Sequence, residues 1–141
     1  MEFYLMWLKK ARTDLRTAKK LIKDDERILD TSVYHTQQCA EKALKGFLAF
    51  KKQNIQKTHD LELLIEYCSQ VDNEFKNLID DAIVLEPYCD EFRYPGNYDE
   101  PDLTDAVDAI ERADRIILFV ENKIKKELNA SGKNTEELFK F

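Results

Sequence analysis

Apolar residues recur at alternating intervals of four and three along three long stretches of the chain, a pattern typical of helices that bury one face. The first stripe, over residues 3–23, contains Tyr4, Leu8, Ala11, Leu15, Ala18 and Ile22. The second, which runs to about Lys52, contains Val33, Ala40, Ala43, Leu44, Phe47 and Leu48. The last contains Ala106, Ile110, Ala113, Ile117, Val120 and Ile124.

Two shorter helices are predicted between the second and third stripes. Their inward faces contain Leu61, Leu64, Ile65 and Cys68 in one, and Phe75, Leu78, Ile79, Ala82 and Leu85 in the other, which Pro87 ends. The predicted N-cap of the second long helix is Asp30, Thr31 or Ser32, and that of the last long helix is Asp102 or Thr104. Thr58 and Asn73 are the predicted N-caps of the two short helices. The fold class is therefore all-α: an antiparallel up-and-down bundle over residues 1–128 with three long helices and one or two short ones. Residues 129–141 form a C-terminal tail, expected to be either mobile or a short docked turn.

Composition narrows the class of protein further. With only three Gly and three Pro in 141 residues, most all-β folds are excluded and one ordered domain is expected. The net charge of −6 argues against strong non-specific binding to nucleic acids or membranes. Because no apolar run approaches about 20 residues and no signal peptide is recognisable, a cytoplasmic location is expected. The sequence has no CxxC motif, and its three cysteines are far apart: Cys39, Cys68 and Cys89. We therefore expect their thiols to be buried and reduced.

The second helix places polar residues where packing alone does not favour them. Gln37 falls on the apolar face, so its amide requires a hydrogen-bond partner. That partner is either a neighbouring helix, which would fix the register, or a ligand. Glu41 and Lys45 are spaced as an i to i+4 ion pair on the opposite edge, which we interpret as a solvated face. Lys42 and Lys45 also belong to the most basic stretch, which makes them candidate phosphate contacts.

The two histidines do not form a metal-binding pattern. His59 and Asp60 begin a short helix, where they are either structural or part of an anion site at exposed backbone N–H groups. His35 shares a helix face with Lys42, and we interpret it as structural. Because the histidines are far apart and no HxxH string is present, neither a metal nor another cofactor is predicted.

The only stretch rich in Pro and Gly, after Pro87, contains Arg93 followed by Tyr94. A planar guanidinium beside an aromatic ring can stack on a base or bind a phosphate through two N–H groups. Alternatively, Arg93 pairs with Asp90, Glu91 or Asp99 and the aromatic residues cover the end of the bundle. The sequence leaves both interpretations open.

Four strings, in this order, resemble the HEPN family (higher eukaryotes and prokaryotes nucleotide-binding) over about residues 3–128. They are Ala11-x-x-Asp14-Leu15-x-x-Ala18, Gln37-Gln38-x-Ala40-Glu41-Lys42-Ala43-Leu44-Lys45, His59-Asp60-Leu61 and Arg93-Tyr94-Pro95. The resemblance implies a small helical bundle that dimerises. It also implies a minimal nucleotidyltransferase as partner in prokaryotes, within toxin–antitoxin or defence modules.

Many members of this family are metal-independent ribonucleases with an Arg followed by a His after four to six residues. Arg93 matches the Arg, but Tyr98, Asp99 and Glu100 occupy the window for the His, and no His follows Arg93. Proton transfer at neutral pH needs a group that titrates near 7. No catalytic residue is therefore assigned.

The resemblance favours a non-catalytic nucleotide- or nucleic-acid-binding module, expected to be a homodimer. Its candidate binding residues are Arg93, Tyr94, His59, Asp60, Lys42 and Lys45. The alternative is a ribonuclease with a degenerate site, in which His59 or Tyr98 acts with Arg93.

Overall fold

The computed structural model describes residues 1–96 and 99–141, and all regular structure in this part of the chain is helical. The α-helices are α1 (Phe3–Lys20), α2 (Leu29–Phe50), α3 (Leu61–Val71), α4 (Ile79–Leu85) and α5 (Leu103–Ala130). Short 3-10 helices precede and follow α4, at Asn73–Leu78 and Glu86–Cys89. The prediction of an all-α bundle with three long helices is confirmed.

Contacts at both ends show that α1 and α2 form an antiparallel hairpin. Ser32 Oγ, near the start of α2, donates to the carbonyl oxygen of Ala18, near the end of α1, at 2.8 Å. At the other end the rings of Tyr4 and Phe50 lie 5.0 Å apart. The helices approach closely at Gly46, where an added Cβ would lie 2.9 Å from a methyl carbon of Leu8.

The last long helix, α5, packs against both members of this hairpin. Arg12 of α1 donates to Glu121 of α5 at 3.0 Å, and Lys51, just after α2, pairs with Glu127 at 2.7 Å. The C-terminal ends of α2 and α5 therefore lie at the same end of the bundle. The chain must return along the bundle between them, and α3, α4 and the 3-10 helices form that return.

Several helices begin at a different residue from the one predicted. Asp60, not Thr58, caps α3 by accepting from the Leu63 N–H, and Asp72, not Asn73, caps the first 3-10 helix. Of the two candidates for α5, Asp102 is the cap. The helix α2 has no side-chain cap, so the predicted caps Asp30, Thr31 and Ser32 are wrong; all three lie within the helix.

The core follows the predicted stripes closely. Every stripe residue of the three long helices is buried except Ile22, which is half-buried. The chain beyond α5 is docked, since Thr135 is buried and Leu138 and Phe139 pack against the core. This matches the second of the two expectations for the tail. Of the helices described, none is long and apolar enough to span a membrane.

Candidate functional site

A cavity of about 280 Å³ lies between the N-terminal part of α2 and the segment that follows α4. Its lining consists of Asp30, Thr31, Tyr34, His35, Phe92 and Arg93. The four residues from α2 form two adjacent pairs separated by one helical turn, since positions 34 and 35 lie four residues after positions 30 and 31, respectively, so they share one face of that helix. The sequence placed Arg93 in an irregular loop, and the structure brings that loop to the start of α2.

Arg93 is held by aromatic contacts rather than by an acid. Its guanidinium carbon lies 4.7 Å from the centre of the Tyr34 ring and 5.9 Å from that of Tyr94. Among residues 1–96 and 99–141 no carboxylate forms an ion pair with it, so the predicted pairing with Asp90, Glu91 or Asp99 is not observed. Both distances are within the range of cation–π attraction, and these contacts leave the guanidinium N–H donors available to an anion.

The second chemically active group in this cavity is His35, which a buried carboxylate holds in place. His35 Nδ1 lies 2.8 Å from Asp14 Oδ1, and Lys42 Nζ lies 2.7 Å from Asp14 Oδ2. Asp14 is only 6% exposed, whereas a quarter of the His35 side chain is exposed. With Nδ1 engaged by Asp14, Nε2 is the ring nitrogen left for a ligand.

A parallel arrangement lies on the other edge of α2, where Glu41 accepts from Lys45 Nζ at 3.0 Å and from His59 Nδ1 at 2.7 Å. Glu41 and Lys45 are 4% and 6% exposed, so the interpretation of a solvated face is wrong for this pair. The physical reason is that α1 and the segment before α3 cover this edge: Lys45 lies 5.7 Å over the Trp7 ring, and His59 binds Glu41.

Two further polar side chains tie the segment before α3 into this second cluster. Gln37 is fully buried and donates to the backbone carbonyl of His59 at 3.0 Å. Glu86 accepts from the Leu61 N–H at the first turn of α3. Burial raises the pKa of the Glu86 carboxyl, the Leu61 hydrogen bond opposes that change, and the negative charges of Asp60 and Glu41 add to it.

The structure therefore divides the predicted site residues into two groups. Arg93 lines the cavity, Tyr94 lies beside Arg93, and Lys42 is linked to the cavity through Asp14, which also binds His35. His59 and Lys45 bind Glu41 instead, while Asp60 caps α3. Tyr98 lies outside the described residues.

Sequence reasoning missed the roles of Asp14, His35 and Tyr34. One feature of the sequence could have indicated them. Asp14 lies next to the apolar stripe of α1, and His35 and Lys42 share one face of α2. Within the described residues, no group of three His, Cys, Asp or Glu side chains is arranged to hold a metal ion.

The charges at the cavity nearly cancel. Lys42 is paired with Asp14, whereas Asp30, which accepts from the N–H of Thr31, keeps its negative charge and lines the cavity with Arg93. Arg93 forms no ion pair with a described residue, so the cavity suits a single anionic group better than a row of phosphates.

Comparison with known proteins identifies the class to which this fold and site belong. The family model of the HEPN domain matches residues 4–123. The crystal structure of ST0689, an archaeal HEPN homologue, superimposes with a TM-score of 0.68 at 28% sequence identity, covering 89% of this chain and 100% of that chain. No curated protein matches. The chain is a helical-bundle protein and belongs to the HEPN family, as its sequence motifs suggested.

Proposed function

We propose that this protein is a non-catalytic HEPN-type module that binds a nucleotide, or the end of a nucleic acid, through one phosphate in the Arg93 cavity. The observation that carries the proposal is the Arg93 guanidinium, stacked on Tyr34 and free of acidic partners among the described residues, beside His35. A phosphate accepts from the guanidinium N–H donors, and an exposed aromatic ring such as Tyr94 offers a surface for a base.

Calorimetry and thermal shift with nucleoside mono-, di- and triphosphates and with short RNAs test this proposal. Three variants are compared with the wild type: Arg93→Ala, Arg93→Lys, which keeps the charge but loses the planar stack, and Arg16→Ala, an exposed control on α1. We expect binding to be lost in Arg93→Ala, weakened in Arg93→Lys and unchanged in Arg16→Ala. Equal binding by wild type and Arg93→Ala would overturn the proposal.

A ribonuclease activity is the second candidate, and one specific observation supports it. The cavity contains a histidine beside Arg93, but it is His35, held by Asp14, and not His59. In metal-independent cleavage a base removes the proton of the ribose 2′-hydroxyl, the 2′-oxygen attacks the phosphorus, and the bond to the 5′-oxygen breaks as that oxygen takes up a proton from water. His35 Nε2 is the group suited to take that proton, with Arg93 neutralising the phosphate.

This candidate predicts a defined product and a defined pattern of loss. RNA incubated with the protein in a chelator should yield 2′,3′-cyclic phosphate ends, detected by mass spectrometry. His35→Gln and Arg93→Ala should abolish the activity, while His59→Gln should retain it. If all three variants cleave equally, the activity comes from a contaminant.

The remaining expectations concern partners. We propose a homodimer, supported by the exposed side chains of Phe3 and Met6 on α1, 60% and 52% exposed. Light scattering at high micromolar concentration tests it, and a monomeric mass would contradict it. The association with a nucleotidyltransferase in a toxin–antitoxin or defence setting rests on family membership alone. Co-purification from the native host tests that association.

A further inference from the structure

An open groove of about 810 Å³ lies along the outer face of α3. It shares no lining residue with the Arg93 cavity. One wall is the outer face of α3, and the other contains Lys76 from the first 3-10 helix and Ile79 from α4. We refer to it as the α3 groove.

The floor of the α3 groove is mainly apolar, although Ser69 and Gln70 also contribute to the lining. Leu63, Ile65 and Ile79 all contribute to the lining, and Leu63 and Ile79 are only half-buried. Apolar surface that lines a concave region gains free energy when a second apolar surface displaces water from it. The floor therefore favours an occupant with apolar side chains.

The rim of the α3 groove is strongly acidic. Asp60, Glu62 and Glu66 line it, against the single cation Lys76. Neither Glu62 nor Glu66 forms an ion pair with any residue the structure describes. This rim repels phosphates and attracts cations.

We propose that the α3 groove binds a basic amphipathic helix of a partner protein. An amphipathic helix carries apolar side chains at positions i, i+4 and i+7 on one face, which match the apolar floor, and lysines or arginines at its flanks, which match the carboxylates. The groove runs along a helix of 11 residues, or about 16 Å, so about three turns of the partner would fill it.

Fluorescence anisotropy with the full chain tests the proposal. The probe is a labelled synthetic peptide of about 14 residues with leucines at i, i+4, i+7 and i+11 and lysines elsewhere on the flanks. A second peptide with the same leucines and glutamates in place of the lysines serves as the comparison. We expect the basic peptide to bind and the acidic peptide not to bind.

Charge-matched variants distinguish binding of the peptide in the α3 groove from non-specific attraction of a basic peptide to an acidic protein. Glu62→Lys with Glu66→Lys alters the rim, whereas Glu111→Lys with Glu136→Lys makes the same change in net charge on exposed positions elsewhere. The rim pair should weaken binding by about tenfold or more and the control pair by less than about twofold. Leu63→Gln should weaken binding without any change in charge.

Three outcomes would overturn the proposal: no binding of the basic peptide to the wild type, equal weakening by both charge pairs, or no effect of Leu63→Gln. Circular dichroism of each variant confirms that the bundle is folded. None of these outcomes bears on nucleotide binding, because the Arg93 cavity uses other residues.

Discussion

Two histidine–carboxylate pairs lie on the two edges of α2, and they differ in what surrounds them. His35 is bound to Asp14 and His59 to Glu41, and each carboxylate is buried and also bound to a lysine. The His59 side chain is 70% exposed and lines neither the Arg93 cavity nor the α3 groove, whereas His35 is 25% exposed and lines the cavity with Arg93. A histidine held by a carboxylate is therefore not enough to form an anion-binding site. We expect an anion to bind at His35 rather than at His59 because Arg93 lies beside His35.

The largest expected effect on stability comes from removing Glu41, whose pair with His59 lies away from the Arg93 cavity. Glu41→Ala leaves Lys45 buried without its counter-charge, and loss of one partner of a buried pair costs about 3 kcal/mol. Urea denaturation measures this loss, with Glu111→Ala, at an exposed position of α5, as control. Nucleotide affinity of the folded variant should be unchanged. A loss no larger than that of the control would show that Lys45 finds water when Glu41 is absent.

Asp14→Ala should destabilise the protein less, by about 2 kcal/mol, because half-buried Lys42 can turn toward solvent. Unlike Glu41→Ala, it should also weaken nucleotide binding, since His35 loses the group that orients it. Denaturation and calorimetry on the same sample separate the two effects. Lower stability with unchanged affinity would reduce Asp14 to a structural role.

Exchanging the histidines themselves compares the two pairs directly. His35→Gln should weaken nucleotide binding by about tenfold, equivalent to about 1.4 kcal/mol, while His59→Gln should change it by less than about twofold. Titration calorimetry of both variants against the preferred nucleotide provides the measurement. Equal effects would mean that the bound molecule extends along α2 to His59.

The smallest effect concerns Glu86, beside the His59 pair. Its pKa is raised from 4.5 in the folded protein, so the stability it contributes is full at low pH and falls as pH rises through the folded value. Glu86→Gln removes the charge and keeps an acceptor for the Leu61 N–H. At pH 7 it should stabilise the protein by about 0.5 kcal/mol, a value reduced for partial exposure.

Urea denaturation at about pH 7 and pH 4 checks the sign. The advantage of the Glu86→Gln variant should disappear at the lower pH, where the wild-type carboxyl is protonated in both states. Glu111→Gln is the matched control. An advantage that persists at low pH would point to packing rather than charge.

The helices could be predicted from the sequence because burial of one helix face requires apolar residues at intervals of three and four positions. The stripe of α5, from Ala106 to Ile124, is buried throughout. Helix starts were less predictable, since Thr58 and Asp60 are both good caps and only the path of the chain selects between them. Arg93 could be selected as a candidate because the features that mark it, an adjacent Tyr and a stretch rich in Pro and Gly, are its neighbours in sequence.

The residues that α2 and α1 bring to the Arg93 cavity could not be predicted because they are distant from Arg93 and from one another in sequence. Asp14 meets His35 and Lys42 only because α1 and α2 pair, across separations of 21 and 28 positions. The burial of Glu41 and Lys45 was missed for a similar reason. Helical periodicity assigned them to an exposed edge, and it contains no information about Trp7 or His59, which cover that edge.

The shared direction of α2 and α5 has a practical consequence for any attachment to this domain. The contacts of Tyr4 with Phe50 and of Lys51 with Glu127 bring the start of α1 and the last turns of α5 to one end of the bundle. Arg93 lies at the other end, beside the first turns of α2, which is 22 residues or about 33 Å long. A fusion partner or surface tether joined before α1 therefore leaves the Arg93 cavity facing outward.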